Sequence, residues 1–280
     1  MTNSYNNYPA WTNGNFCQVK DLSVSIFDLG LVYADATYDV MAFRNYQGIR
    51  VNEHIDRFLN SCKCLRIPID YTHDQLMNVV AQVHDQTGWP DSIIWLSATR
   101  GVPTSGNPRD LLSCQPNVVC YAKPYYKFNG TNQATVCSAD TAVRVPDICI
   151  DQTHKNFARI DLTRAQWEAI DRGFTTAIVF GTQGYLSEGP GFNVAIVKDN
   201  TVLAPRTNCL PGISMLLVEE ACCNNNIKFL WTDIDKSTVD QCDDMFLTTT
   251  VGNVVTVTNY NGRPLSMSSI QQRLIELINN

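Results

Sequence analysis

Apolar positions along this chain recur with two rhythms, one near every second residue and one near every 3.6. Residues 24–27 and 37–43 read as strands, and 53–65 carry apolar residues at helical spacing behind Asn52, the expected N-cap. Thr72 and Gln75 have the spacing of a capping box, and Leu76, Val79, Val80 and Val83 continue a second helix until Gly88 and Pro90 end it. Residues 92–99 and 117–122 predict buried strands around a polar loop, 101–113, which is longer than a hairpin needs. That loop is either functional or a plain surface excursion.

Residues 124–133 (PYYKFNGTNQ) break the pattern and read as a linker. Beyond it come a helix at 162–171 closed by Gly173, strands at 176–180 and 193–197, and a helix at 213–223. Strands at 245–250 and 254–258 follow, and an amphipathic helix at 266–279 ends the chain. The pattern predicts an α+β protein with a smaller α/β domain over 1–123, a linker over 124–133 and a larger domain over 134–280. The asparagine-rich first 15 residues are expected to be poorly ordered.

Composition narrows the class. A hydrophobic fraction of 44% and a charged fraction of 17% fit a soluble globular protein, and a net charge of -6 supplies no basic footprint for nucleic acid. The first residues lack a positive segment followed by an apolar one, and no apolar run approaches the roughly 18 residues that span a bilayer, so the expected location is cytoplasmic. The 11 cysteines are odd in number. Those inside apolar segments, Cys62, Cys64, Cys120, Cys222 and Cys223, read as small core hydrophobes. Only four histidines are present, His54, His73, His84 and His154, and no metal site is visible.

Candidate chemistry begins with Lys155 and Glu188, the latter within LSEGPGFN. An amine can hold an aldehyde as a Schiff base, and a carboxylate facing a pyridine nitrogen keeps that nitrogen protonated, so the pair suggests a pyridoxal phosphate enzyme. Two segments look able to grip a phosphate. Gly212, Ile213 and Ser214 stand at a helix start, either as an anion site or as a simple cap; Thr248, Thr249, Thr250 and Gly252 follow a strand, either as ligands or as ordinary strand residues. Arg57 lies beside Ile55, Phe58 and Leu59 and either reaches a groove or stays on the surface.

These segments, with YADATYDV at 33–40 and VNEHIDR at 51–57, occur in the order found in class IV pyridoxal phosphate aminotransferases, and the resemblance covers nearly the whole chain. It implies the two-domain fold type IV architecture, with a β-barrel-like second domain, and a homodimer whose partner completes the active site. Lys155 would form the Schiff base with the cofactor and Glu188 would pair with its ring nitrogen. Arg57, the Ile213 and Ser214 amides, Thr249 and Thr250 would hold the phosphate.

The substrate is less sharply implied. Tyr38 and Val40 resemble the pair in D-amino acid aminotransferases and (R)-selective amine transaminases, and with Tyr33 and Trp95 they would line the substrate side. Trp95 has the alternative of being simple core. Arg109 would accept a substrate carboxylate; Arg159 is either a second carboxylate ligand or a structural partner of Asp161. The implied activity is amino transfer from a D-amino acid or (R)-primary amine to a 2-oxo acid. Alternatives are a branched-chain L-amino acid transaminase and an aminodeoxychorismate lyase-type enzyme.

Overall fold

The computed structural model describes residues 5–279. Contacts divide the chain into two units, Met1–Tyr125 with His154–Ala158, and Tyr126–Thr153 with Arg159–Asn280. The domain expected over 134–280 thus gives up five residues. The physical reason is hydrogen bonding: the Phe157 amide donates to the Ala36 carbonyl, and Thr37 Oγ1 donates to the Lys155 carbonyl at 2.6 Å.

In the first unit the elements are β1 (Pro9–Thr12), β2 (Asn15–Gln18), α1 (Leu29–Val32), β3 (Ala36–Arg44), β4 (Gln47–Ile49), α2 (Val51–Cys64), α3 (His73–Asp85), β5 (Ser92–Pro103) and β6 (Cys114–Pro124). The sheet runs β2-β1-β6-β5-β3-β4, and all its pairings are antiparallel. Its core joins Met41, Ile94 and Leu96 to Ile55 and Phe58 of α2 and to Leu76, Val80 and Val83 of α3. The alternation along β3 and β5 sends Tyr38, Val40 and Trp95 to the other face. The Thr72 capping box forms as read, each side chain accepting the other residue's amide.

Several expectations fail here for local reasons. Residues 24–27 form no strand; Val24, Ile26 and Phe27 are exposed, and the Asp28 amide donates to the Ser25 carbonyl in a turn. The N-cap of α2 is Arg50, held at φ 52° where the chain leaves β4, which puts Asn52 inside the helix. Within the first 15 residues β1 and the start of β2 are ordered, since Ala10 and Trp11 are buried; residues 1–4 lie outside the described residues. The loop expected at 101–113 is shorter, because β5 continues past Gly101. A Cβ there would lie 1.6 Å from the Gln115 carbonyl oxygen, so the bulge between β5 and β6 requires glycine.

In the second unit the elements are β7 (Gln133–Ser138), α4 (Ile160–Asp171), β8 (Thr176–Ile178), β9 (Glu188–Gly189), β10 (Phe192–Lys198), β11 (Thr201–Pro205), α5 (Ile213–Asn224), β12 (Lys228–Thr232), α6 (Lys236–Asp240), β13 (Asp244–Thr249), β14 (Asn253–Tyr260), β15 (Arg263–Pro264) and α7 (Ser269–Asn279). A mixed sheet runs β12-β11-β10-β13-β14-β7-β8, with β9 on β10 and β15 on β14. One face buries Val194, Ile196, Leu247 and Val255, and the other packs Val197, Phe246 and Val254 against Met215 and Val218 of α5 and Leu274 of α7. Burial on both faces explains why β10 and β13 read as continuous apolar runs.

Cysteine placement also departs from expectation. Cys62, Cys120 and Cys222 are buried, but Cys64 and Cys223 are exposed, turned away from the buried faces of their helices. Among the described residues, no helix is long and apolar enough to cross a membrane.

Candidate active site

Lys155 sits in an irregular segment pinned from both sides. Its carbonyl accepts from Thr37 Oγ1, its amide donates to Ser61 Oγ at 3.3 Å, and Asn156 braces the turn by donating to the His154 carbonyl and accepting from the Ala158 amide. Lys155 Nζ lies 4.8 Å from the centre of the Tyr38 ring. Tyr38 stacks on Trp95 at 4.4 Å and 3°, and Phe157 meets Tyr38 edge-on at 5.3 Å. Val40 is the cross-strand partner of Trp95, so the amine stands beside a stack of aromatic rings with an aliphatic neighbour.

Arg57 belongs to a buried cluster on the same unit. Its Nε donates to Asp39 Oδ2 at 2.8 Å and its Nη2 to Asp39 Oδ1 at 2.9 Å, while His54 Nδ1 lies 2.7 Å from Asp39 Oδ1. Burial opposes charge on Asp39, yet Arg57 and His54 together hold its carboxyl far below the usual carboxylate range. Burial likewise pushes His54 below its ordinary value, against the opposing pull of Asp39. Arg57 is therefore a fixed cation and not a surface arginine. Asp39 went unread in the sequence, although a carboxylate inside an otherwise apolar strand is a usable signal.

Glu188 opens the β9–β10 hairpin, whose turn is Pro190 followed by Gly191 at φ 92°, the order a type II turn uses. Its Oε1 accepts from Arg144 Nε at 3.1 Å and Nη2 at 2.8 Å, and its Oε2 accepts from the Leu210 amide at 3.2 Å. Arg144 also donates to Asp161 Oδ2 at 2.5 Å and to Gln152. Burial works against charge on Asp161, but the Val145 amide and Arg144 bring its carboxyl below the usual range. Arg159 completes the cluster: burial lowers its guanidinium from the ordinary value, and Glu188 and Asp161 oppose that fall. Arg144 was missed in the sequence; a lone arginine between Val143 and Val145 carries no periodic signature.

The second unit also offers an anion cradle. Gly212 caps α5, and a Cβ on it would fall 1.9 Å from Asn193 Oδ1, so only glycine lets the chain pass into the helix at that point. The first helical amides, Ile213 and Ser214, precede the intrahelical bonding that starts when Met215 and Leu216 donate to the Gly212 carbonyl. Thr248 pairs across the sheet with Asn193, and its Oγ1 is buried with no hydrogen-bond partner among the described residues. Orphaned donors beside a helix N-terminus fit a phosphate. Thr249 and Thr250 follow at the end of β13.

The remaining candidates are dispersed. Tyr33 is the exposed C-cap of α1, and Arg109 is exposed, its amide donating to Asn107 Oδ1. Lys155, Tyr38, Val40, Trp95 and Arg57 belong to the first unit; Arg159, Glu188, Ile213, Ser214, Thr249 and Thr250 belong to the second.

Comparison with known proteins agrees with this chemistry. The sequence pattern of amino-transferase class IV matches residues 36–260. A Methanocaldococcus jannaschii protein provisionally described as a branched-chain-amino-acid aminotransferase is 28% identical over 266 residues, 93% of this chain and 90% of its own. D-alanine aminotransferase of Staphylococcus aureus is 21% identical over 268 residues, covering 91% of this chain and 89% of its own. Among solved structures, the branched-chain aminotransferase of Thermoproteus uzoniensis with norvaline shares the fold at a TM-score of 0.91 and 21% identity, over 97% of this chain and 93% of that one. The chain belongs to the class IV aminotransferases. It is a pyridoxal phosphate-dependent aminotransferase with the α+β fold of that class.

Proposed function

We propose that this enzyme moves an amino group from a D-amino acid or (R)-primary amine to a 2-oxo acid. The observation that carries the reading is the surface beside Lys155 Nζ, where Tyr38 lies flat on Trp95 and Val40 stands opposite Trp95. Tyr38 and Val40 there are the pair that resembles D-amino acid aminotransferases and (R)-selective amine transaminases. When bound, pyridoxal phosphate supplies an electron sink for the carbon that loses its proton. Lys155 would hold the cofactor and then carry that proton, Glu188 would face the ring nitrogen, and Arg57, the α5 amides, Thr249 and Thr250 would grip the phosphate. Arg109, exposed in its loop, is the better candidate for a substrate carboxylate, because the charges of Glu188 and Asp161 already favour the Arg159 cation where it is buried.

A branched-chain L-amino acid donor is the second reading, favoured by the description of the M. jannaschii relative. Single-turnover assays of the loaded enzyme with D-alanine, (R)-1-phenylethylamine and L-leucine separate the two. Loss of the cofactor's visible absorbance with either of the first two, and not with L-leucine, is expected; the reverse pattern would sink the first reading. Replacing Lys155 by alanine should slow the half-reaction by about 10²–10⁴-fold or more. We further propose a cytoplasmic homodimer, checked by gel filtration against a monomeric elution volume.

A further inference from the structure

The carboxylate expected to serve the cofactor ring is already engaged by another side chain. Arg144 directs Nε and Nη2 onto the same oxygen, Glu188 Oε1, while its Nη1 reaches Asp161, its Nη2 also reaches Gln152, and its backbone amide donates to the Phe180 carbonyl. The Arg144 side chain is 4% exposed and that of Glu188 8%. With all three guanidinium nitrogens engaged, Arg144 cannot turn away, and the Leu210 amide fixes the other Glu188 oxygen. A carboxylate that accepts three N–H bonds in a dry site is oriented as an acceptor and remains one toward a further donor.

Resting on the reading of Glu188 as partner of the ring nitrogen, we propose that Arg144 is its positioning residue: the fork fixes the carboxylate plane so that the shared proton stays on the ring. Without Arg144 the buried carboxylate would be free to swivel and to take that proton itself. The ring would then be a poorer electron sink although Lys155 and the phosphate grip were intact.

The test loads wild type, Glu188→Gln, Arg144→Gln and Arg144→Lys with pyridoxal phosphate labelled with nitrogen-15 in the ring, and reads the nitrogen shift, cofactor affinity and half-reaction rate. Wild type should show a protonated ring nitrogen. Glu188→Gln and Arg144→Gln should move toward the neutral position, the latter with a half-reaction slowed on the order of tenfold or more and a smaller change in affinity. Arg144→Lys should fall between, since lysine supplies charge without a fork. If Glu188→Gln moves the signal and Arg144→Gln does not, Arg144 is only a structural cross-link. Should Arg144→Gln fail to fold, a wild-type shift in Arg144→Lys overturns the proposal equally. An unmoved signal in Glu188→Gln would defeat the reading of Glu188 itself.

Discussion

Asp39 has no exposed surface and answers two partners at once, the Arg57 fork and His54. Substituting asparagine keeps the shape but removes the charge that compensates a buried guanidinium, so Asp39→Asn should cost about 3 kcal/mol of stability, measured by denaturant unfolding. It should also weaken cofactor binding by loosening Arg57; unchanged affinity would argue that Arg57 does not hold the phosphate. Lys155 and Glu188 could be singled out from sequence as candidates because their residue types themselves suggest the chemistry. The roles of Asp39 and Arg144 could not, because each works through partners distant in sequence: 18 residues separate Asp39 from Arg57, and 44 separate Arg144 from Glu188.

Among the elements, α3 was legible because its capping box and apolar stripe are both local. The start of α2 was not, since a left-handed Arg50 cap depends on the turn out of β4 and not on a capping side chain. Residues 24–27 misled for the opposite reason: an apolar run resembles a strand, but without a sheet neighbour it remains an exposed turn. Helix α5 gives the sharpest test at this scale. Replacing Gly212 by valine drives a side chain into Asn193, which donates to the Leu210 carbonyl at 2.8 Å. We expect cofactor affinity to fall on the order of tenfold while inorganic phosphate competes more weakly, both read by fluorescence titration.

For the whole molecule, acid is the informative stress. His54 and Asp39 are both depressed, so each binds fewer protons folded than unfolded. The His54 contribution is complete above its ordinary 6.5 and is lost as pH falls through its lower folded value; that of Asp39 is complete above 3.8 and is lost at still lower pH. Asp244, raised by burial, acts with the opposite sign. Unfolding free energy should therefore decline in two stages on acidification, and His54→Gln should flatten the upper one. Cofactor adds a separate contribution: at 100-fold excess over its Kd it should raise stability by about 2.7 kcal/mol relative to cofactor-free protein.

The strap His154–Ala158 has a consequence for synthesis. Ser61 and Thr37 leave the ribosome 94 and 118 residues ahead of the lysine whose backbone they hold. An N-terminal unit folding during translation must wait with those hydroxyls unengaged, and closing so long an intervening loop carries an entropic cost that the short segment alone has to offset. A nascent chain stalled after residue 125 should accordingly be more protease-sensitive than one released past residue 158. In that order of events, the Lys155 amine is among the last groups of its own unit to arrive.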